Sequence, residues 1–424
     1  MIAVFLTRKI REDLFMKNKV ISLGCATGGL AIIRALGKRG LHVIALSFDP
    51  HEMALASKYA DEVVVCPHPN EEEAFLDFMT QKASCWSGSL IIENDDHYAV
   101  ALSKLKDELS RHYRLITQDW DVLSLFVEKE NTYRLAEACG VPCPKTYYPE
   151  SLDALEKLEE EISLPCIIKP IRSHEFVAVF KTKLFVVHTF DQLLTQYSLC
   201  LEAGLPVILQ EIVPGDDKTF ERVHIYLNSK GEVGAEIHHK TLRLNPPGYG
   251  VMRAGVTVPP NQEVRDLAYR LLEHAGYNRG MAAFQFKRNQ ITNELTLIEV
   301  NGRTPRSVQI DIAAGVDLPW VIYQDIIHDV QLPVEPYQET VWIEFWPDIL
   351  NALFRDDKKT FDFREFVTPY MASNRTFAVF TWSDLKPFIR QTLNLPRLAR
   401  RELKKKEQSS VWRSISYSRR TIRT

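Results

Sequence analysis

A carboxylate, an amide and a guanidinium follow one another at two-residue spacing at Glu299, Asn301 and Arg303. On an extended chain, a period of two turns all three to one side. Carboxylate and amide oxygens are hard ligands that suit Mg²⁺, and a planar guanidinium beside them suits a phosphate. The plain alternative is a strand end whose polar residues face water. Lys169 closes the apolar run 164–170, just before Pro170. It either presents a point charge to phosphate or snorkels at a domain edge. Arg243 and Arg253 lie in the Pro/Gly-rich stretch 241–255, which also holds Tyr249. This stretch reads as a long loop able to gather and close over an anionic substrate, or as solvent-facing charge.

These residues need elements to position them. Residues 283–287 and 295–300 read as two strands around a polar turn, a hairpin. Residues 220–228 and 232–240 alternate in the same manner around 229–231. Near the start, an apolar run at 20–22, the glycine-rich 24–29, a helical 30–38 and an apolar 41–46 give strand, turn, helix, strand. Further strands are expected at 61–66, 89–93 and 115–116, with helices at 71–82 and 98–112. Asn94, Asp95, Asp96 and His97 follow the fourth strand, where an open α/β sheet has its crevice. They either line a ligand site or cap a helix. Helices are expected at 128–139, 151–161, 191–202, 262–274, 308–314 and 317–328. Strands are expected at 206–213 and 341–345, and residues 176–180 and 184–188 read as another hairpin. Residues 347–395 are mixed, and Trp346, Trp382 and Phe388 there are read as core or interface.

The bulk numbers bound the class. The chain has 424 residues, enough for two to four lobes, with 45% hydrophobic and 25% charged residues. A net charge of -3 does not favour nucleic acid as the default partner. No apolar run is long enough for a membrane span, and the first residues lack the order of a signal peptide. Met16 is a second candidate start. Seven widely spread cysteines suggest free thiols in a reducing, cytoplasmic setting. Cys139 and Cys143 have no second close pair, which argues against zinc. Gly24, Gly28 and Gly29 do not form the dinucleotide fingerprint that would pair with Asp49, so a nicotinamide enzyme is a distant reading. Residues 397–424 carry ten Lys/Arg against two Glu, a net charge of +8. They form either a solvated end or a contact for an anionic surface, membrane or nucleic acid.

The order and spacing of these features, over most of residues 20–329, resembles the ATP-grasp superfamily. Among its branches the chain looks like the carboxylate–amine ligases such as D-aspartate ligase, and more loosely like carbamoyl-phosphate-synthase-like proteins. The resemblance implies an α/β and α+β fold: an open α/β (pre-ATP-grasp) domain at 1–125, then a two-lobed ATP-grasp unit at 126–330. A mobile lid would span about 142–210, and 331–424 would form an extension with the basic tail. The implied cofactors are ATP and Mg²⁺. Glu299-Val-Asn301-Gly-Arg303 is similar to the family's E-x-N-x-R metal and phosphate motif. Lys129 and Lys169 match its two ATP lysines. Gln210, Glu211 and Val213 look like the adenine hinge, and Lys240 resembles the basic residue that reaches phosphate or substrate. On this reading Glu299, Asn301 and Gln285 hold the metal, Arg303, Arg253 and Lys240 act in catalysis, and Arg243, Arg253 and Arg306 receive the incoming carboxylate.

Two features depart from the family pattern. Gln285, in Phe284-Gln285-Phe286, stands where the family usually has Glu. An amide oxygen still ligates Mg²⁺ but brings no charge. Residues 171–180 contain no glycine, where many members have a glycine-rich flap, so Arg172, Ser173 and His174 would supply side-chain contacts instead. The implied reaction joins a small-molecule carboxylate to an amine through an acyl phosphate, with a homodimer among the expected assemblies. A carboxylate kinase or carbamoyl-phosphate-like enzyme is one alternative. A nucleotide-binding or scaffold protein without turnover is the other, and both departures favour it.

Overall fold

The computed structural model describes residues 19–171, 173–180, 182, 184–248, 250–354, 362–396 and 399. The chain start, Arg172, Tyr249, the side chains of Ser173 and His174, and the basic tail apart from residue 399 lie outside the described residues. So do the expectations attached to them.

The first sheet is parallel, in the order β3-β2-β1-β4-β5. Its strands are β1 (Lys19–Leu23), β2 (His42–Ser47), β3 (Glu62–Val65), β4 (Leu90–Glu93) and β5 (Arg114–Leu115). β1 and β4 are buried along their whole length, as expected when both faces are covered. Val20 and Ile92 pack with Leu30 and Ile33 on one side, while Ile21 and Leu23 pack with Phe75 and Trp86 on the other. β1 has β2 on one flank and β4 on the other, so the crevice opens at their carboxyl ends. The glycine turn sits there. A Cβ on Gly29 would come within 1.9 Å of the Gly24 carbonyl oxygen, and Gly24 itself has φ +86°. The helix expected at 98–112 is two helices, Asp96–Lys104 and Lys106–Leu109. Asp95 caps the first by accepting from the His97 backbone N–H at 3.0 Å.

The second sheet is antiparallel, in the order β6-β9-β7-β8. It comprises β6 (Thr146–Tyr147), β7 (Cys166–Pro170), β8 (Phe185–Val187) and β9 (Val207–Glu211). It has its own core around Leu155, Phe176, Phe180, Leu193 and Tyr197. The hairpin expected at 176–188 does not form. Ser173–Phe180 is a helix, and β8 pairs with β7 instead. Phe176 and Phe180 stand four apart, so helical winding brings their rings to 4.7 Å and lays both on Phe185.

The third sheet has seven strands in the order β14-β13-β10-β11-β12-β15-β16. They are β10 (Phe220–Leu227), β11 (Val233–Asn245), β12 (Val251–Val258), β13 (Gly280–Arg288), β14 (Leu295–Asn301), β15 (Val341–Ile343) and β16 (Arg375–Phe377). The loop expected at 241–255 is instead the meeting of two strands. β11 runs on to Asn245 and β12 resumes opposite it at Val251, with the pairing shifted on either side of Arg243, leaving the prolines and Gly248 to the turn. β15 and β16, from beyond residue 331, complete this sheet. One face buries Val223, Ile225, Phe284 and Phe286 with Ala136, Val264, Leu267 and Leu271 of the helices Lys129–Ala138 and Gln262–His274. The other buries Phe220, Tyr226, Ile237 and Met281 in the core shared with the first sheet.

Candidate active site

The floor of the site is a row across the third sheet. His239 pairs with Arg222, Arg222 with Gln285, and Gln285 with Glu299. Directly opposed residues on neighbouring strands share a face, so all four side chains stand on one side. The Arg222 Nε donates to Thr241 Oγ1 at 3.1 Å. Burial pulls its guanidinium down to about 10, against the upward pull of Glu299.

The second sheet supplies the opposing charge. Lys169, near the end of β7, donates from Nζ to the Tyr133 hydroxyl at 2.9 Å. Burial works against its ammonium, but Tyr133 and Glu299 outweigh that and leave it raised. The Tyr133 hydroxyl donates to the Ile298 carbonyl at 2.8 Å and lies 3.3 Å from Gln210 Oε1. Gln210 in turn donates from Nε2 to Thr146 Oγ1 at 3.0 Å. One tyrosine on the helix Lys129–Ala138 therefore ties Lys169, the expected hinge residue Gln210 and strand β14 together. Glu211 continues β9, its N–H donating to the Lys145 carbonyl at 3.1 Å, and Val213 is buried just beyond.

The first sheet closes the third side. Arg303 donates from Nε to Asp96 Oδ1 at 2.6 Å and from Nη2 to Asp96 Oδ2 at 3.2 Å. Its Nη2 also reaches Asn301 Oδ1 at 3.1 Å. Burial alone would raise the Asp96 carboxyl, but Arg303, with help from Lys129, holds it below its ordinary value. Lys129 thus acts at the same corner as Arg303. Asn94 braces the glycine turn, its Nδ2 donating to the Leu23 and Gly24 carbonyls at 2.7 Å each. The polar cluster 94–97 therefore divides its work between bracing, capping and the site.

The remaining expected residues are placed differently. Lys240 pairs across the sheet with Glu221, one step out of phase with His239 and Arg222. It stands on the opposite face from Gln285 and Glu299, because a one-residue step in a strand reverses the side. That placement sets Lys240 apart from the row of Arg222, Gln285 and Glu299 with which it was expected to act. Arg243 is held by Asp348, with Nε to Oδ1 at 2.9 Å and Nη2 to Oδ2 at 2.6 Å. Arg253 pairs with Glu344, whose other oxygen lies 3.6 Å from Arg306 Nη2. Arg306 is the most open of these three arginines, with 48% of its side chain exposed.

Arg222, Tyr133, Asp311 and Glu344 were not singled out by sequence. A weak signal for Arg222 existed: in the strand 220–228 it shares the alternating set of Phe220, His224 and Tyr226. Asp311 is buried and accepts from or contacts two histidines, His224 Nδ1 at 2.8 Å and His239 Nε2 at 2.6 Å. The three ligand atoms lie within 4.8 Å of one another, a spacing open to a cation. Here they form a hydrogen-bonded chain linking β10 and β11 to the helix Gln309–Ala314. Burial holds His239 at about 4, neutral at physiological pH.

The donor set facing the cleft can be tested against Mg²⁺. Glu299, Asn301 and Gln285 offer one carboxylate and two amide oxygens. Hard oxygen donors fit this ion, with a single negative charge among them.

This arrangement of sheets recurs in solved structures. An ADP complex of N5-carboxyaminoimidazole ribonucleotide synthetase aligns with a TM-score of 0.61 at 15% identity, covering 79% of this chain and 84% of that one. Biotin carboxylase from Campylobacter jejuni, solved with an ATP analogue, aligns with a TM-score of 0.59 at 16% identity, over 74% and 72%. The chain has the ATP-grasp fold. L-amino acid ligase from Bacillus licheniformis shares the ATP-grasp architecture with a TM-score of 0.57 at 13% identity, over 73% and 74%. In sequence, the chain is 26% identical to D-aspartate ligase of Enterococcus faecium over 262 residues, 60% of this chain and 61% of that protein. It is also 26% identical to formate-dependent phosphoribosylglycinamide formyltransferase of Bacteroides fragilis over 156 residues, 37% of this chain and 38% of that one. No family model matches the chain. No helix among the described residues is long and apolar enough to cross a membrane.

Proposed function

We propose that the chain is an ATP-dependent ligase that activates a carboxylate as an acyl phosphate and joins it to an amine, releasing ADP and phosphate. The observation that carries this reading is the place of Glu299, in one cross-strand row with Gln285 and Arg222 and with its charge acting on both Arg222 and Lys169 of the second sheet. The similarity to a D-aspartate ligase and an L-amino acid ligase supports amino acids as a substrate class.

ATP lies between the second and third sheets, its base against Gln210, Glu211 and Val213 and its phosphates toward Lys129 and Lys169. A Mg²⁺ held by Glu299 and Asn301, with Gln285 as a neutral ligand, would neutralise phosphate charge. The acid's carboxylate oxygen attacks the γ-phosphorus, the bond to the bridging oxygen breaks, and ADP leaves. Two anions must meet for this step. Lys169 and Arg303 offset their repulsion and hold the developing charge. Arg303 is positioned for this by Asp96. The amine then attacks the acyl carbon, a C–N bond forms, the C–O bond to phosphate breaks, and the ammonium proton passes to solvent. Arg306 is the favoured partner for the incoming carboxylate, with Arg253 anchored behind it through Glu344. Arg243 braces the sheet through Asp348.

Isotope transfer tests this reading. An acid carrying heavy oxygen in its carboxylate passes that label to the released phosphate, and release depends on both acid and amine. Phosphate without label overturns carboxylate activation. Turnover with acid alone marks the carboxylate kinase alternative. The uncharged Gln285 and the glycine-free 171–180 favour a second reading, nucleotide binding without turnover. That reading requires bound nucleotide and no ADP release with any acid–amine pair.

A further inference from the structure

Exposed large apolar side chains are unevenly spread along the chain. Among the described residues, Leu353, Phe363, Met371, Trp382, Ile389 and Leu393 crowd into one short stretch, while the others are scattered from Val63 to Val334. Single exposed apolar residues are ordinary, but a concentration of them marks a contact surface.

The helix Lys386–Leu393 shows how that surface is built. One of its faces is docked. The Phe388 ring stacks on Trp346 at 6.0 Å and 12°, Gln391 is buried, and Thr392 Oγ1 accepts from Trp346 Nε1 at 2.8 Å. Just before the helix, Asp384 accepts from Arg34 Nε at 3.0 Å and from Ser57 Oγ at 2.6 Å, which ties the segment to the opening α/β unit. The helix is therefore held without help from its other face. That face carries Lys386, Ile389 and Leu393, spaced three and four apart, so they form one stripe. Ile389 is 52% exposed and Leu393 76% exposed. Trp382, 81% exposed, stands beside it: its ring meets Phe380 at 5.0 Å, and Phe380 meets Phe388 at 5.1 Å.

Charge concentrates at the same place. From residue 386 onward twelve Lys/Arg stand against two Glu, in a chain whose net charge is -3. The stripe leads directly into the basic residues 397–424, which also include Trp412 and Tyr417. A nucleic acid would use the basic residues and leave Ile389 and Leu393 idle. A bilayer surface uses both. Apolar side chains enter the headgroup boundary, Lys and Arg meet anionic headgroups, and Trp and Tyr favour the boundary itself.

We propose that the stripe Lys386, Ile389 and Leu393, with Trp382 and the basic residues 397–424, is a docking surface for an anionic phospholipid bilayer. The protein binds that surface without spanning it. None of these residues belongs to the proposed nucleotide site, so this docking and the ATP reading stand or fall separately.

Co-sedimentation of the full chain with vesicles tests the proposal. Vesicles of phosphatidylcholine alone are compared with vesicles in which about a third of the lipid is phosphatidylglycerol. Binding to the anionic vesicles is expected to be at least about tenfold tighter and to weaken as salt is raised. No binding, or equal binding to both, overturns the proposal. Joining Ile389→Ser with Leu393→Ser is expected to keep the melting temperature and lose about tenfold or more in vesicle affinity. Unchanged affinity in that variant overturns the role of the stripe. Joining Lys404→Glu, Lys405→Glu and Lys406→Glu is expected to remove most of the preference for anionic lipid, and a retained preference contradicts the role of the basic residues. Two further results would overturn the proposal: tighter binding to an RNA duplex than to anionic vesicles at the same salt, and a dimer in light scattering that the serine variant dissolves while wild type ignores vesicles.

Discussion

Arg303 and Asp96, 207 positions apart in the chain, lock together through two hydrogen bonds at 2.6 and 3.2 Å. The first sheet thereby fixes the angle of Arg303, which closes the proposed metal and phosphate motif on β14. The glycine turn adds a second point of contact, since Thr27 Oγ1 donates to the Arg306 carbonyl at 3.2 Å. The opening α/β unit therefore orients Arg303 and Arg306, two residues of the proposed site.

Loosening that lock costs rate more than nucleotide affinity. Asp96→Asn keeps one hydrogen bond and removes the charge, so Arg303 loses its fixed direction. Turnover is expected to fall by about tenfold or more, because small misplacements of a charge-stabilising group are expensive. Nucleotide affinity is expected to change less. Steady-state kinetics beside calorimetric titration of the nucleotide separates the two effects, and equal losses in both would contradict the positioning role.

Lys240 is the opposite case. The register sets it on the far face from Glu299, so Lys240→Met is expected to leave ADP release within about twofold of wild type. A large loss of rate with retained thermal stability would show that the lysine reaches the substrate from another direction.

Arg243 is expected to matter for folding. Its partner Asp348 is fully buried, and the Tyr370 hydroxyl donates to the same carboxylate at 2.8 Å. Arg243→Met strands the acid, a change that typically costs about 3–5 kcal/mol. The double variant Arg243→Met with Asp348→Leu is expected to recover much of this. Thermal melts of the two variants check it, with KM for the acid unchanged wherever the protein stays folded. A raised KM at an unchanged melting temperature would return Arg243 to the substrate.

How far the sequence reached follows the same physics. The strands of the first sheet and the hairpin of β13 and β14 were legible because apolar periodicity and turn residues agree there. Ser173–Phe180 was misread because Phe-Val-Ala-Val-Phe satisfies a strand in composition, while only the four-residue spacing of its two phenylalanines hints at a helix. Residues 241–255 were misread because prolines and glycine mark a turn without marking how far the flanking strands run. Within the site, Glu299, Asn301, Arg303 and Lys169 announce themselves by position at strand ends. Arg222 does not, since a lone arginine in a strand ordinarily faces water. The face on which Lys240 stands depends on pairing partners distant in the chain, which local pattern does not encode.

Glu93, at the end of β4, gives a pH-dependent signature. Burial raises its carboxyl from 4.5 to about 7, despite the nearby charge of Arg303. The folded state therefore holds its proton longer than the unfolded chain. Stability falls as pH rises from the unfolded value toward 7 and is lowest above it. The full cost is about 3 kcal/mol. Glu93→Gln removes the ionisation, so the variant is expected to melt higher than wild type near pH 8 and about equally near pH 4. A gain of the same size at both pH values would contradict the shift.

The most direct measurement is ADP release with Mg²⁺ and ATP across pairs of amino acids and other small carboxylic acids, comparing wild type with Glu299→Gln. Glu299 is the one carboxylate among the proposed metal donors, so its loss is expected to reduce release by at least about a hundredfold, with the fold and melting temperature retained. The account predicts wild-type release that requires an acid and an amine together and that the variant lacks. Equal release by Glu299→Gln and wild type would contradict it.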